Sequence, residues 1–200
     1  MRRKEFLIKD KKILEDVINK CEWGTLALVD ENGFPYQVPV NHIWHKKVLY
    51  FHSAMAGKKI TLLKKSSKVH FNVVMPLSII PSYFTDSQKA CNATQFFMSV
   101  SVSGAAEFVQ EISVKSDVLT TLMQRLQADG RYRQIHPSNE LYEKELKATN
   151  LVAIKPDNMT GKFKLGQNLN EEIKNHIIDE LQKRGHPIDL LTASYMKEFM

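Results

Sequence analysis

The chain has 200 residues, 43% of them apolar and 25% charged, which suits one domain, or one domain with an appendage, around a sizeable core. Its net charge of +6 is a small excess and is not gathered into a block, so nucleic acid is not expected as a partner. Two cysteines, Cys21 and Cys91, without CxxC spacing argue against a disulfide framework and a zinc site. The basic opening MRRKEFLIKDKK is not followed by an apolar signal core, and no apolar run is long enough to cross a bilayer. A cytoplasmic location without membrane contact is expected.

In chain order, Asp10 to Lys20 reads as a helix, with Ile13, Leu14, Val17 and Ile18 at helical spacing and Asp10 as N-cap. Gly24 to Asp30 reads as a strand. Asn32-Gly33 is a hairpin signal, and Tyr36 to Trp44 is the return strand. Pro35 and Pro39 confine that strand to an edge, a bulge or an irregular segment, since proline has no N–H for the ladder. Val48 to His52 is a third strand, Ala54 to Ser66 a helix, and Lys68 to Met75 a fourth strand. Pro76 to Ala93 reads as a long connection. Thr94 to Gln110 is β-rich, with Gly104 as a bend or bulge. Helices are predicted over Ser113 to Ala128 and Glu140 to Lys147, and a last strand over Leu151 to Lys155. Thr160 to Asn168 reads as irregular, and two helices, Asn170 to Arg184 and Pro187 to Phe199, end the chain on either side of Gly185. Sequential hairpins imply an antiparallel sheet, and about six strands with edges to protect imply a small barrel with flanking helices.

The chemistry is expected where the third strand runs into a helix. Ser53 is a candidate N-cap, Gly57 leaves room beside the backbone, and Lys58 and Lys59 put two cations at a helix N-terminus. The macrodipole disfavours cations there, so the arrangement suits a bound anion; a solvated helix end is the competing reading. His42 and His45 would fall on opposite faces of a strand, and His52 has no neighbouring carboxylate or thiol, so no metal site is expected. No nucleotide-loop, serine-hydrolase or zinc-protease motif occurs, and nothing in the sequence supplies a base beside Cys91. No residue is singled out as catalytic. A flat, phosphorylated aromatic ligand would suit the anion site together with the apolar strand Val38-Pro39-Val40-Asn41.

Val38-Pro39-Val40-Asn41, Tyr50-Phe51-His52-Ser53-Ala54 and Gly57-Lys58-Lys59 resemble the pattern of the flavin-binding split barrels. Within that group the chain is similar to the pyridoxamine 5′-phosphate oxidase-like branch that includes nitroimidazole-resistance (Nim-type) proteins. The opening MRRKEF and the segment from Ala90-Cys91-Asn92 to Ser99-Val100, with Gly104, share that likeness. The resemblance implies a mainly β fold, a six-stranded antiparallel Greek-key split barrel with flanking helices over residues 1–157, and a C-terminal helical extension over 158–200 packing on it. It implies FMN, with FAD as the alternative, at the interface of a homodimer, and a small-molecule substrate. By the same resemblance Ser53, Ala54, Gly57, Lys58 and Lys59 hold the phosphate, Val38, Pro39, Val40 and Asn41 line the ring, His52 lies at the ring or ribityl end, and Ser99 contacts the ring. The implied function is a flavin-dependent oxidoreductase, reducing nitro compounds for example. A flavin-binding sensor or transcriptional regulator without turnover and a haem-handling split-barrel protein are the alternatives. The segment Gly161-Lys162-Phe163-Lys164-Leu165-Gly166-Gln167-Asn168 is similar to a motif of flavin-type negative regulators. The arginine-rich ending used by true pyridoxamine phosphate oxidases is not found, so vitamin B6 oxidation is not expected.

Overall fold

The computed structural model describes residues 2–85 and 88–199. Met1, which opens the MRRKEF segment, Asp86 and Ser87, inside the expected 76–93 connection, and Met200 lie outside the described residues. The elements are β1 (Leu7–Ile8), α1 (Lys11–Lys20), β2 (Trp23–Val29), β3 (Pro35–Asn41), β4 (Ile43–His45), β5 (Val48–Ser53), α2 (Lys58–Lys65), β6 (Lys68–Ile80), β7 (Thr94–Val109), α3 (Ile112–Leu126), α4 (Glu140–Ala148), β8 (Asn150–Lys164), α5 (Glu171–Arg184) and α6 (Pro187–Glu198). They form two compact units. Unit 1 comprises Met1–Val17, Val74–Val100 and Thr160–Met200; unit 2 comprises Ile18–Val73 and Ser101–Met159.

Unit 2 is built on a mostly antiparallel sheet in the order β3-β2-β6-β7-β8-β5-β4. The two ends of this order, β3 and β4, are consecutive in the chain and separated only by His42. The first and last strands therefore meet at one residue, and the sheet closes into a split barrel. The β2–β3 hairpin pairs Trp23 with Asn41 through to Val29 with Pro35. Its turn is held by the Asp30 carboxylate, which accepts from the amides of Asn32 and Phe34 at 3.0 Å, and Gly33 takes a left-handed φ of +82°. As the prolines predict, β3 ends the strand order and takes ladder bonds from β2 alone. Ile43, Val118, Leu122 and Leu151 form a buried cluster that seats α3 against β4 and β8. The buried Lys115 donates to the carbonyls of Leu146 (3.2 Å) and Thr149 (2.8 Å), a cation at the C-terminal end of α4 where the macrodipole favours one.

Three expectations are corrected. Among the described residues there are eight strands rather than six: His42 divides the expected 36–44 strand into β3 and β4, and Leu7–Ile8 adds β1 by pairing with Lys162 and Gly161 of β8. The expected 76–93 connection is shorter, because β6 continues through an exposed Pro76 to Ile80. The stretch from Thr160 is not irregular; β8 runs unbroken to Lys164. Gly104 lies within β7, where a Cβ would stand 2.1 Å from the Lys155 carbonyl oxygen. Only glycine permits that backbone approach. In α1, by contrast, Asp10 caps the helix as predicted, accepting from the Ile13 amide at 3.1 Å.

In unit 1, α5 ends at Gly185, whose φ of +72° satisfies the left-handed helix terminus, and Pro187 opens α6. Between them a polar knot replaces apolar packing. Fully buried Asp189 accepts from Arg184 Nε (2.8 Å) and Nη2 (2.5 Å) and from the Ser78 hydroxyl (2.6 Å). The Ser78 amide in turn donates to Thr192 Oγ1 at 3.0 Å. The Arg184 hydrogen bonds, helped by Ser78 and opposed by desolvation, hold the Asp189 carboxyl at about 2, below the usual carboxylate range. A depressed folded-state pKa means that the unfolded chain binds the proton more readily, so this stabilisation is complete above roughly pH 4 and is lost as pH falls toward the folded value. Asp189→Asn leaves a partly buried guanidinium unpaired and is expected to cost about 3 kcal/mol at neutral pH. Urea unfolding of both proteins should show that gap narrowing below roughly pH 4; a gap independent of pH would mean the carboxylate charge contributes nothing.

Candidate functional site

The site lies in unit 2, where β5 hands over to α2. Ser53 is the last residue of β5, opposite Asn150 of β8. The Asn150 side-chain amide donates to the Ala54 carbonyl at 3.0 Å, which fixes where the chain leaves the sheet. Helix α2 begins at Lys58, not at Ala54, so Ser53 is not its N-cap. That position belongs to Gly57, at φ +124° and ψ 165°, with no side chain capping the helix. A Cβ on Gly57 would meet nothing within 4 Å, so glycine is required there by the dihedral and not by crowding. The first-turn amides of α2 have no intrahelical acceptors, no acidic residue stands in that turn, and two lysines do.

The two lysines are not equivalent. Lys58 is exposed, 3.7 Å from Asp30 and with its ammonium 4.7 Å from the centre of the Tyr36 ring. Those partners come from the β2–β3 hairpin, and the Asx turn at Asp30 is the sequence signal that could have revealed one of them. Lys59 is half-buried over the Phe51 ring at 5.1 Å and forms no ion pair among the described residues. Desolvation holds the Lys59 ammonium below its usual pKa. His52 is exposed to solvent yet partly desolvated by its surroundings; that desolvation, and then the Lys59 charge, hold its pKa below the usual value. Neutral His52 beside an unpaired, desolvated cation, at amides without acceptors, forms an electropositive corner that can take an anion.

The strand residues divide by the period of two. Val40 is buried and Val38 half-buried, while Pro39 is exposed. Asn41 commits its side-chain amide to the Glu22 carbonyl at 3.1 Å, leaving its carbonyl oxygen as the free polar group. A flat ligand on one face of β3 therefore meets alternate members of Val38-Pro39-Val40-Asn41 and not all four side chains. Ser99 falls in unit 1, on β7, where its hydroxyl donates to the Lys162 carbonyl at 3.3 Å. Among the described residues no group of three His, Cys, Asp or Glu side chains could hold a metal ion. His42, tested in the sequence as a ligand, is instead fully buried: its Nε2 bonds the Ile18 carbonyl at 2.8 Å, and desolvation pushes its pKa down to about 4. Asn150, which sets the loop, had no signal in its neighbourhood; the contact joins residues 96 apart.

The family model for pyridoxamine 5′-phosphate oxidase matches residues 10–163. The chain belongs to that family. The match spans the seven strands from β2 to β8, short only of Lys164 at the end of β8, and includes the β5–α2 handover. Among curated proteins no sequence matches. Solved structures similar to this family member include a candidate 5-nitroimidazole antibiotic resistance protein from Bacteroides thetaiotaomicron, at 22% identity and TM-score 0.63, covering 78% of this chain and 85% of that one. The flavocytochrome of Azotobacter vinelandii aligns at 20% identity and TM-score 0.67, covering 85% and 74%. The FAD and heme binding protein from Mycobacterium smegmatis aligns at 20% identity and TM-score 0.65, covering 80% and 73%. At these identities the likeness shows the split-barrel fold alone.

An NMR titration on protein with 13C-methylated lysines checks the electrostatics directly. The Lys59 signal is expected to titrate below the usual lysine range, and to move back up when phosphate is added. A Lys59 signal at the ordinary value would mean that the corner is solvated.

Proposed function

We propose that this protein binds a flavin mononucleotide through the β5–α2 handover and acts as a flavin-dependent oxidoreductase of the nitroimidazole-resistance type. The observation that carries this reading is Lys59: a half-buried cation without a carboxylate partner, at a helix N-terminus without an acidic first turn, in a member of the pyridoxamine 5′-phosphate oxidase family. A phosphate supplies the missing counter-charge. In the proposal Lys59 and the amides after Gly57 hold the phosphate, Ser53 and Ala54 border it, and Lys58 contributes from its place beside Asp30. His52 faces the ribityl or ring end, alternate residues of Val38 to Asn41 line the ring, and Ser99 is the proposed further ring contact. The bound flavin would supply electron transfer to and from a small-molecule substrate, and the protein would orient and desolvate it.

Residues 1–157 are proposed as the flavin-binding part and 158–200 as a helical extension. A homodimer with flavin at its interface and a cytoplasmic location belong to the same proposal. The names of two similar structures, a flavocytochrome and an FAD and heme binding protein, support FAD or haem handling as the second reading. A flavin sensor without turnover is the third. Mass spectrometry of the ligand released from purified protein separates FMN, FAD and haem, and NAD(P)H oxidation with a nitroaromatic acceptor separates enzyme from sensor.

Titration with FMN followed by flavin absorbance tests the phosphate assignment. A charge-assisted contact contributes ~1.5–3 kcal/mol, so Lys59→Ala is expected to weaken FMN by roughly 10- to 100-fold and to leave riboflavin, which has no phosphate, unchanged. Lys58→Ala should have the smaller effect. FMN affinity unchanged in the Lys59 variant would remove the phosphate from this corner.

A further inference from the structure

The regulator-like segment of residues 161–168 plays no part in that reading, yet its residues divide cleanly by role. Gly161 and Phe163 on β8 and Leu165 just beyond it are buried, and a Cβ on Gly161 would stand 2.5 Å from Leu14 Cδ2. Gly166, at φ +84°, turns the chain, and Gln167 locks the turn by accepting from the Leu165 amide and donating to the Phe163 carbonyl. Packing and turn geometry thus account for the glycines, the apolar residues and the glutamine. They do not account for Lys162 and Lys164, which the strand period places together on the opposite face.

Both lysines line cavities of unit 1. One, of about 390 Å³, has Ile80, Phe96, Ile173 and Ile177 in its wall and Arg3 and Lys164 among its cations. A second of the same size shares Arg3 and Lys164 and adds Arg2 and Lys162. Among the described residues lining the two, none is Asp or Glu. Lys164 donates to Thr94 Oγ1, a neutral partner. Its ammonium is held below the usual pKa by desolvation and then by the charges of Lys162 and Arg3. Partly buried Lys164 stands among three exposed cations, Arg2, Arg3 and Lys162, and a bound anion relieves the repulsion between these like charges.

We infer that unit 1 carries a second binding site, for a small organic anion with an apolar body, its carboxylate or phosphate held by Lys164 and Arg3 and its body against Phe96 and the isoleucines. The volume is that of a small-molecule site. Apolar wall and cationic mouth together select against both a neutral apolar molecule and a bare inorganic anion. The site stands independently of flavin binding at α2.

Cys91 gives a local readout, because it is exposed and lines the same cavity. Cys21 is buried and its thiol is pushed up to about 11, so alkylation by neutral iodoacetamide at mildly alkaline pH reads Cys91. Phenyl phosphate and benzoate are the probes, and whichever protects identifies the headgroup. Protection of Cys91 is expected from at least one of them, and not from benzyl alcohol or inorganic phosphate at equal concentration. Lys164→Met and Arg3→Gln should each raise the half-protecting concentration by roughly tenfold, with protection referred to each variant's own unprotected rate. Lys59→Ala should protect as the parent does, which keeps this test separate from the flavin titration. No protection by either probe at about 10 mM overturns the inference, as does equal protection by benzyl alcohol. Loss of protection in Lys59→Ala but not in Lys164→Met would place the anion at α2 instead. If Lys164→Met lowers the melting temperature, Arg3→Gln, on an exposed residue, decides.

Discussion

The barrel depends on one residue, His42. It is all that separates the two strands at opposite ends of the sheet order, so the chain must turn there without a hairpin. Its ring is buried against Phe71, with centroids 5.1 Å apart, and bonds the Ile18 carbonyl. Its own carbonyl accepts from Arg125 at 2.8 Å, and the same guanidinium reaches the carbonyls of Cys21 and Glu22. One cation from α3 thus ties down the barrel's closing step and the segment leading into β2. A charged imidazole could not sit there, and burial keeps it neutral across the range in which histidine ordinarily titrates.

Closure determines where α2 starts. With β4 fixed at the end of the order, β5 must pair back on β4 on one side and on β8 on the other. Its last residue then falls opposite Asn150, whose amide holds the departing chain. Gly57 makes the turn that no other residue makes cheaply, and the helix opens with its lysines forward. The electropositive corner is therefore a product of barrel registry, and its residues are spread over the hairpin, β5 and α2.

Local signals were legible in the sequence and distant ones were not. The Asp10 cap, the Asn32-Gly33 hairpin, the edge position of a strand with two prolines, and the helices around Gly185 all rest on chemistry within a few residues. Gly57, Lys58 and Lys59 could be picked out because cations at a helix start are an anomaly. The inequality of the two lysines could not, since it arises from Asp30 and Phe51 reaching them from other elements. The same holds for Gly104, whose reason is a carbonyl on β8, and for residues 160–164, polar in composition but held as strand by pairing with β1. Ser53 was misread as a cap because a hydroxyl before a helix is a good local signal, and the helix began one turn later.

The way the chain is shared between the units bears on inheritance. It passes from one to the other after Val17, Val73, Val100 and Met159, and three of those passages fall inside β6, β7 and β8. No single stretch of coding sequence therefore specifies either unit. Recombination cannot trade one for another as a cassette, and any such exchange would have to splice within a strand.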